Sequence, residues 1–369
     1  MTVPLLDLQA QFERIKDEIS AVVAEVFTSQ RFIGGHHVEG LEQEVATYAQ
    51  AQHAIALASG TDALLLALRA AGVEPGDEVI TSPFTFFATA GAIHNAGARP
   101  VFVDIEPDTF NIDPNRITDA ISERTRAIIP VHLFGQCADM EPIVELARQH
   151  GLVVLEDAAQ ALGARYHEQP VGAMGAMAAL SFFPSKNLGG AGEGGMVLTS
   201  DDALAEGLRL LRNHGQGAQY VHSIVGTNSR LDALQAAVLR VKLHHLDAWA
   251  EERRSNAARY NEQFAAMDGV VPPVVRPGHH HVYNQYTIRL PHRDACLELF
   301  RERQIGAAIY YPIPLHLQEC FAYLGYEPGS MPEAEQASRE VLSLPVYPEL
   351  PRAHQEHVVQ AIADHLARL

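Results

Sequence analysis

The sequence predicts an α/β protein built around a mostly parallel β-sheet, with a smaller unit following it. Between residues 53 and 200, short runs rich in Val, Ile, Leu and Ala alternate with segments of helical periodicity. The runs are continuously apolar, which is typical of strands that helices cover on both faces. Repeated alternation of such strands and helices is the pattern of layered α/β domains.

Seven candidate strands follow one another in this part of the chain. They span residues 53–58, 78–81, 100–104, 127–132, 152–156, 178–183 and 196–199. Helical patterns at 62–71, 114–122 and 140–150 lie between some of them, and Gly or Pro bounds each pattern. We therefore expect a seven-stranded sheet in a large domain.

A proline-free, helix-favouring stretch runs from residue 230 to residue 267. It is too long for one ordinary globular helix, so we expect a kinked or bridging helix between two domains. A small α+β unit is predicted after it. Its strands are expected at 285–290 and 307–311, and its helices at 294–304, 333–341 and 352–369. We place the large domain at residues 1–245 and the small domain at 246–369.

The composition favours a soluble enzyme with small-molecule partners. Hydrophobic residues make up 47% of the 369-residue chain and charged residues 20%, which is ordinary for a globular protein. A net charge of −18 argues against nucleic acid or an anionic membrane as partner, so an anionic ligand needs a local site. We expect a cytoplasmic location for three reasons. The three cysteines are widely separated, the start has no basic leader, and no long apolar run occurs.

Lys186 is the first candidate catalytic residue. It lies between a short apolar run and a loop with five glycines, within residues 181–195. An amine at a strand end beside close-fitting backbone is a suitable Schiff-base nucleophile, provided that its ordinary pKa of ~10.4 is lowered. Taken alone, the pattern equally allows a solvated loop lysine.

Two further signals accompany this lysine. Asp157 ends a buried strand, where open α/β sheets bind ligands, and a buried carboxylate needs a cationic partner. The segment Ser59-Gly60-Thr61-Asp62 begins a helix, where free N–H groups and the helix dipole favour a phosphate. An ordinary helix cap remains the alternative interpretation at both places.

The three signals fit one cofactor. Pyridoxal 5′-phosphate (PLP) requires a lysine for its aldehyde, an acid for its ring nitrogen and a cradle for its phosphate. The aromatic stretch 83–87 offers a flat partner for the ring, although it equally fits a core. Three adjacent histidines, 279–281, cannot all face one ion, so we interpret them as a loop and expect no metal.

Eight motifs, in this order along the chain, resemble those of the DegT/DnrJ/EryC1/StrS sugar-nucleotide aminotransferases, which have the aspartate aminotransferase fold (fold type I of PLP enzymes). They are PLLDL at 4–8, GTDAL at 60–64, GDEVI at 76–80, IPVH at 129–132, EDAAQ at 156–160, the lysine segment 181–195, NSRLD at 228–232 and YPIPLH at 311–316. The resemblance covers nearly the whole chain.

The resemblance implies a role for each matching residue. Lys186 would hold the cofactor covalently, Asp157 would pair with its ring nitrogen, and Gln160 would reach its ring hydroxyl. Phe86 would stack on the ring. The phosphate would be held by Gly60, Thr61 and Ser181, and by Asn228 of the neighbouring subunit. The resemblance therefore implies a homodimer with shared sites.

The implied reaction moves an amino group from L-glutamate to a nucleotide-linked keto sugar. Lysine at position 186, where some relatives have histidine, favours amino transfer over dehydration. The residues around Lys186 and Tyr311 resemble relatives acting at C-3 of a UDP- or dTDP-linked 3-keto hexose. A C-4 enzyme of the same family and a PLP-binding regulatory protein remain the alternatives.

Four residues are candidate contacts for the nucleotide sugar. They are Arg31, Arg230, Tyr311 and His316. The two arginines would meet the anionic diphosphate, and the other two follow a predicted strand of the small domain. Each has an alternative interpretation as an ordinary surface or packing residue. The pathway, whether for a polysaccharide or a deoxysugar of an antibiotic, does not follow from these residues.

Overall fold

A seven-stranded sheet forms the centre of the protein in the computed structural model, which describes residues 1–369. Its strands are β1 His53–Leu57, β2 Glu78–Thr81, β3 Arg99–Phe102, β4 Thr125–Ile129, β5 Val153–Asp157, β8 Met177–Ser181 and β9 Gly195–Thr199, and β6 and β7 are described below. The spatial order is β1-β9-β8-β5-β4-β2-β3. The five strands from β8 to β3 are parallel, and β9 runs antiparallel to both of its neighbours. The predicted mostly parallel sheet is confirmed.

Helices cover both faces of this sheet. They are α1 Leu8–Ser29, α2 His36–Tyr48, α3 Gly60–Ala70, α4 Ala88–Asn95, α5 Met140–His150, α6 Asp202–Leu211 and α7 Ala233–Leu243. Two large buried clusters of aliphatic side chains fill the layers on either side of the strands. The continuous apolar character of the strands is explained by this double coverage.

The helix predicted at 114–122 is wrong. The segment forms two single 3-10 turns, Pro114–Arg116 and Thr118–Ala120, between which only Ile117 is fully buried. One buried side chain does not give the apolar stripe that holds an α-helix against a core.

The long helical stretch is divided into two helices. α7 ends at Leu243 and α8 spans Leu246–Phe264, with His244 and His245 between them. Buried Arg253 of α8 donates to the carbonyl oxygens of Tyr283 and Val346, at 3.3 and 3.4 Å. α8 therefore packs on the C-terminal unit, and the helix expected to bridge two domains is replaced by two separate helices.

The C-terminal unit is a small α+β layer. Its strands β13 Tyr286–Arg289 and β14 Val341–Leu344 pair antiparallel, beside α9 Arg293–Glu302, α10 Pro332–Glu340 and α11 Arg352–Leu366. Val3 near the N-terminus also joins this core, through backbone bonds to Gln304 and Gly306. The division of the chain between residues 245 and 246 stays a prediction.

The strand predicted at 307–311 is wrong. Only Ala308 pairs there, in an isolated bridge with Ser343. Pro312 follows at once and has no N–H to continue a ladder, and the Tyr311 side chain turns to bond Gln160. The partner of β13 is β14, a short apolar run that was not predicted as a strand, and only its first residue, Val341, fell at the end of the helix predicted at 333–341.

Two small β-structures lie outside the main sheets. β6 Arg165–Tyr166, β7 Gln169–Pro170 and β12 His279–His280 form one, and β10 Gln216–Ala218 and β11 Val221–His222 form a hairpin. The adjacent histidines are thus partly in a short strand, and not in a loop as predicted. The buried ring of His281 stacks on Tyr283, with ring centroids 4.0 Å apart. None of the helices is both long enough and apolar enough to cross a membrane.

Asp104 connects the main sheet to the C-terminal unit. It follows β3, is 2% exposed, and accepts hydrogen bonds from the backbone N–H groups of Glu333 and Ala334 at 3.0 and 2.9 Å. These N–H groups belong to the first turn of α10, which has no side-chain cap of its own. A buried carboxylate from another part of the chain therefore caps this helix.

Replacing Asp104 by Ala is expected to lower the free energy of unfolding by about 2 kcal/mol, because two buried N–H groups lose a charged acceptor. The matched control is Asp201→Ala. Asp201 also caps a helix, α6, by accepting from the N–H groups of Ala203 and Leu204 through its Oδ1, but at an exposed position. Its loss is expected to cost about 1 kcal/mol. Urea unfolding of both variants measures the difference, and equal effects would contradict a special role for Asp104.

Candidate active site

Lys186 lies in a turn beyond the carboxyl end of β8. Its backbone N–H donates to Phe183 at 2.9 Å, and its side chain is partly buried. Burial lowers the pKa of the Lys186 amine to about 8, although the nearby carboxylate of Asp157 acts in the opposite direction. A substantial fraction of the amine is therefore neutral and nucleophilic near physiological pH.

Asp157 ends β5, the strand next to β8, and is 5% exposed. Its Oδ2 accepts a hydrogen bond from the Thr89 hydroxyl at 2.7 Å, and its Oδ1 accepts one from the Ala159 N–H at 3.2 Å. Burial nevertheless raises the pKa of this carboxyl group. The site thus holds an oriented acid that a cationic partner would stabilise in its ionised form.

Gly60 and Ser181 meet at the start of α3. A Cβ atom added to Gly60 would lie 2.7 Å from the Cβ of Ser181, so only glycine allows this approach. Behind them, a Cβ on Gly195 would lie 2.2 Å from the Ser59 carbonyl oxygen. Thr61 follows Gly60 in the first turn and is exposed. The first N–H groups of a helix lack intrahelical acceptors, so this junction is suited to a phosphate.

Gln160, Tyr311 and Phe86 lie together beside the acid. The Gln160 amide accepts from the N–H of Phe134 at 2.7 Å and donates to the Tyr311 hydroxyl at 3.2 Å. Burial raises the pKa of Tyr311, so its hydroxyl stays protonated. The Phe86 ring is 58% exposed, and its centroid lies 6.3 Å from that of Tyr311. The exposed ring of Phe86 therefore lies near Tyr311, which is hydrogen-bonded to Gln160.

Asn228 and Arg230 flank a residue that contacts α3. Between them, the hydroxyl of buried Ser229 donates to Asp62 at 2.7 Å. Asn228 itself is exposed, whereas Arg230 is partly buried and donates to the Asn213 side chain at 2.5 Å. The segment therefore reaches the start of α3 through Ser229, whereas the Asn228 side chain is exposed.

Arg31 and His316 differ in their access to solvent. Arg31 is exposed and takes part in no ion pair, and its segment is tied to α7 because Ala233 donates to the Phe32 carbonyl at 2.8 Å. The His316 side chain is fully buried, and its Nε2 lies 3.2 Å from Glu335. The predicted substrate role of His316 thus has no exposed imidazole to support it.

Three residues of the site have roles that were not predicted from the sequence, and they are Thr89, His132 and Glu156. His132 and Glu156 form a fully buried pair, with Nε2 and Oε2 3.0 Å apart. The Nδ1 of His132 accepts from Ala138, so Nε2 carries the proton that Glu156 accepts. Glu156 also accepts from Gly172 and Gly175, which holds the strand end that carries Asp157. His132 and Glu156 occur within quoted motifs, but nothing in the sequence links Thr89 to Asp157.

These residues fit PLP. A lysine of lowered pKa and a buried acid lie beyond the ends of two adjacent strands, and the Gly60–Ser181 junction leaves backbone open to an anion. The burial of Asp157 would be offset by a protonated ring nitrogen, as the cofactor provides.

Comparison with characterised proteins gives close relatives of full length. A pleiotropic regulatory protein of Geobacillus stearothermophilus is 55% identical, over 99% of this chain and 98% of its own. A dTDP-3-amino-3,4,6-trideoxy-alpha-D-glucose transaminase of Streptomyces venezuelae is 45% identical, over 100% and 97%. A UDP-N-acetyl-3-dehydro-alpha-D-glucosamine 3-aminotransferase of Acidithiobacillus ferrooxidans is 47% identical, over 99% and 97%.

A solved crystal structure is also similar to this chain over its full length. The crystal structure of DesV from Streptomyces venezuelae superposes with a TM-score of 0.97 at 45% identity, covering 100% of this chain and 99% of that one. The model of the DegT/DnrJ/EryC1/StrS aminotransferase family matches residues 13–363. The chain therefore belongs to the DegT/DnrJ/EryC1/StrS family of PLP-dependent sugar aminotransferases.

Proposed function

We propose that the protein transfers the amino group of L-glutamate to C-3 of a nucleotide-linked 3-keto hexose. The observation that carries this proposal is that Lys186 follows the strand next to the one that ends at the buried acid Asp157. The pKa of the Lys186 amine is lowered to about 8. This arrangement supplies an amine that can exchange a proton and a charge that favours a protonated ring nitrogen.

The chain's own residues perform the proton chemistry. The bound cofactor supplies an electron-accepting ring and carries the amino group between the two substrates. Lys186, once its amine is free, would take the proton from Cα of the amino donor and would deliver it to the cofactor carbon that bears the nitrogen. Asp157, oriented by Thr89, would keep a proton on the ring nitrogen through its negative charge. The second half-reaction uses the same groups in reverse.

The choice of C-3 is supported by the relatives. The transaminase of Streptomyces venezuelae and the aminotransferase of Acidithiobacillus ferrooxidans are both named for sugars that carry the new nitrogen at C-3. One name contains dTDP and the other UDP, so both bases are consistent with the proposal. We propose that Arg31, Arg230 and Tyr311 contact the nucleotide sugar, since a chain of net charge −18 needs local cations for a diphosphate.

A second candidate function follows from one relative. The Geobacillus protein of 55% identity is named as a regulatory protein, which keeps a PLP-binding regulator as an alternative. Two other relatives, of 45% and 47% identity, are named as a transaminase and an aminotransferase, and this favours turnover.

We also propose a homodimer with shared sites. Asn228 is exposed close to the phosphate junction of its own chain, and the nearby hairpin presents apolar residues to solvent. Tyr220 is 84% exposed, Val221 61% and Val225 83%. Contiguous exposed apolar side chains of this kind are typical of an interface.

We further propose that the chain divides into two domains between residues 245 and 246, and that the protein is cytoplasmic. The domain division between residues 245 and 246 is supported by the break between α7 and α8 at His244 and His245. A cytoplasmic location is supported by Cys137, Cys296 and Cys320, which are all unpaired.

The function is tested by turnover of defined UDP- and dTDP-linked 3-keto and 4-keto hexoses with L-glutamate. We expect amination of a 3-keto sugar, with NMR of the product placing nitrogen on C-3. Amination only of 4-keto sugars would contradict the regiochemistry. An unchanged visible absorbance of the lysine-bound cofactor on addition of L-glutamate would support the regulatory alternative.

Loading of cofactor-free protein with PLP should depend on pH through Lys186. Only the neutral amine attacks the aldehyde, so the loading rate is expected to rise with pH, with a midpoint at about 8. Asp157→Asn removes the charge that favours the ammonium form, so the midpoint should move to lower pH. Stopped-flow absorbance measures both curves. A midpoint near the ordinary lysine value of ~10.4 would contradict the effect of burial.

Shared sites predict complementation between two defective variants. Lys186→Ala abolishes amino transfer, and Asn228→Ala weakens it if the side chain reaches the partner's phosphate. Mixed subunits in a two-fold dimer would restore one complete site in half of the dimers, giving about a quarter of wild-type activity. Activity equal to the average of the two separate variants would contradict shared sites. Lys16→Ala serves as control, since this exposed lysine contacts only Glu13.

A further inference from the structure

The glycine loop, residues 189–194, is closed against the turn that carries Lys186. Gly190 donates to the carbonyl oxygen of Phe182 at 2.8 Å, and Phe182 donates to that of Gly194 at 2.8 Å. A Cβ on Gly189 would lie 2.2 Å from the Pro184 carbonyl oxygen. The path of the turn 183–186 is therefore coupled to the path of this loop.

We propose that Gln235 and Lys242 of α7 are positioning residues for Lys186, a role that rests on the proposed aminotransferase function. The Gln235 side-chain oxygen accepts from the Ala191 N–H at 2.8 Å, and the Lys242 Nζ donates to the Gly189 carbonyl at 2.7 Å. Seven residues apart on a helix, the two side chains lie on the same face, two turns from each other. Together they hold the glycine loop at two points.

The contact between Gln235 and the loop depends on the loop's glycines. Cβ atoms added to Gly190 and Gly192 would each lie 2.9 Å from the Gln235 amide. The amide therefore sits within the curve of the loop, where a side chain at either position would displace it. Glycine at positions 190 and 192 is therefore explained by the space that the Gln235 side chain occupies, as well as by the need for backbone to approach a ligand closely.

Lys242 is unusual because it has no carboxylate partner. Its hydrogen bond goes to a backbone carbonyl, and burial lowers the pKa of its amine to about 8. Burying an amine costs free energy, and no ion pair offsets this cost. The bond to the Gly189 carbonyl is the one hydrogen bond that this amine makes with the rest of the chain.

α7 is a rigid support for these two side chains. Ala236 and Leu239 on it are fully buried, and Ala233 at its start donates to Phe32 at 2.8 Å. A shift of the loop relative to this helix would move the Lys186 amine relative to the carbon whose proton it transfers. Misplacement by about 1 Å can lower a rate by about a hundredfold.

The test compares Gln235→Met, which removes the acceptor, with Gln235→Glu, which keeps one. Lys242→Met and Lys242→Arg form the equivalent pair, and Lys16→Met is the control at an exposed lysine. In the holoenzyme we expect the two Met variants to lower kcat about ten- to hundredfold, with KM for L-glutamate within about twofold of wild type. The Glu and Arg variants should recover most of the loss.

Two readouts do not require turnover. Hydrogen exchange at the Ala191 amide should accelerate in Gln235→Met, and the pH midpoint of the visible absorbance of lysine-bound cofactor should shift in both Met variants. Unchanged midpoints and kcat would overturn the proposal, as would a loss that follows only the melting temperature. A wild-type protein without amino transfer but with shifted midpoints in the variants would refute the proposed function and retain the positioning role.

Discussion

The burial of one carboxylate, that of Asp157, is the constraint on which the rest of the site depends. This acid is 5% exposed, with two hydrogen bonds and no arginine beside it, so its ionised form depends on cations placed beyond the carboxyl ends of the strands. Lys186 supplies one such cation, and the protonated ring nitrogen of a bound cofactor would supply the other. Burial disfavours both charged forms. It therefore raises the pKa of Asp157 and lowers the pKa of Lys186, which makes the lysine amine more nucleophilic.

The support for this carboxylate comes from three separate parts of the chain. Thr89 on α4 fixes one oxygen, the Ala159 N–H fixes the other, and the buried His132–Glu156 pair anchors the strand end next to it. None of these contacts involves the C-terminal unit. The acid is therefore held by the sheet and its helices alone, whereas Gln160 connects it to Tyr311 and to the C-terminal unit.

Much of this architecture could be predicted from the sequence, for physical reasons. The seven strands were recognisable because burial on both faces requires continuous apolar runs, and Lys186, Asp157 and Gly60 lie where such strands end. The 3-10 turns after Asp113 and the irregular path at 307–311 were not recognisable, since they depend on how many side chains find tertiary partners. Asp104 and Thr89 were missed for the same reason. Their partners lie 229 and 68 residues away in the chain, and no local pattern records such contacts.

The position of Gly195 has a consequence for how this chain can vary. A single methyl group there would collide with the backbone at Ser59 and Gly60, where α3 begins. The start of β9, which follows the glycine loop, and the first residues of α3 are therefore packed too closely for any side chain at position 195. A substitution at this point would displace nucleophile and anion site together, so the two halves of the site can change only in concert.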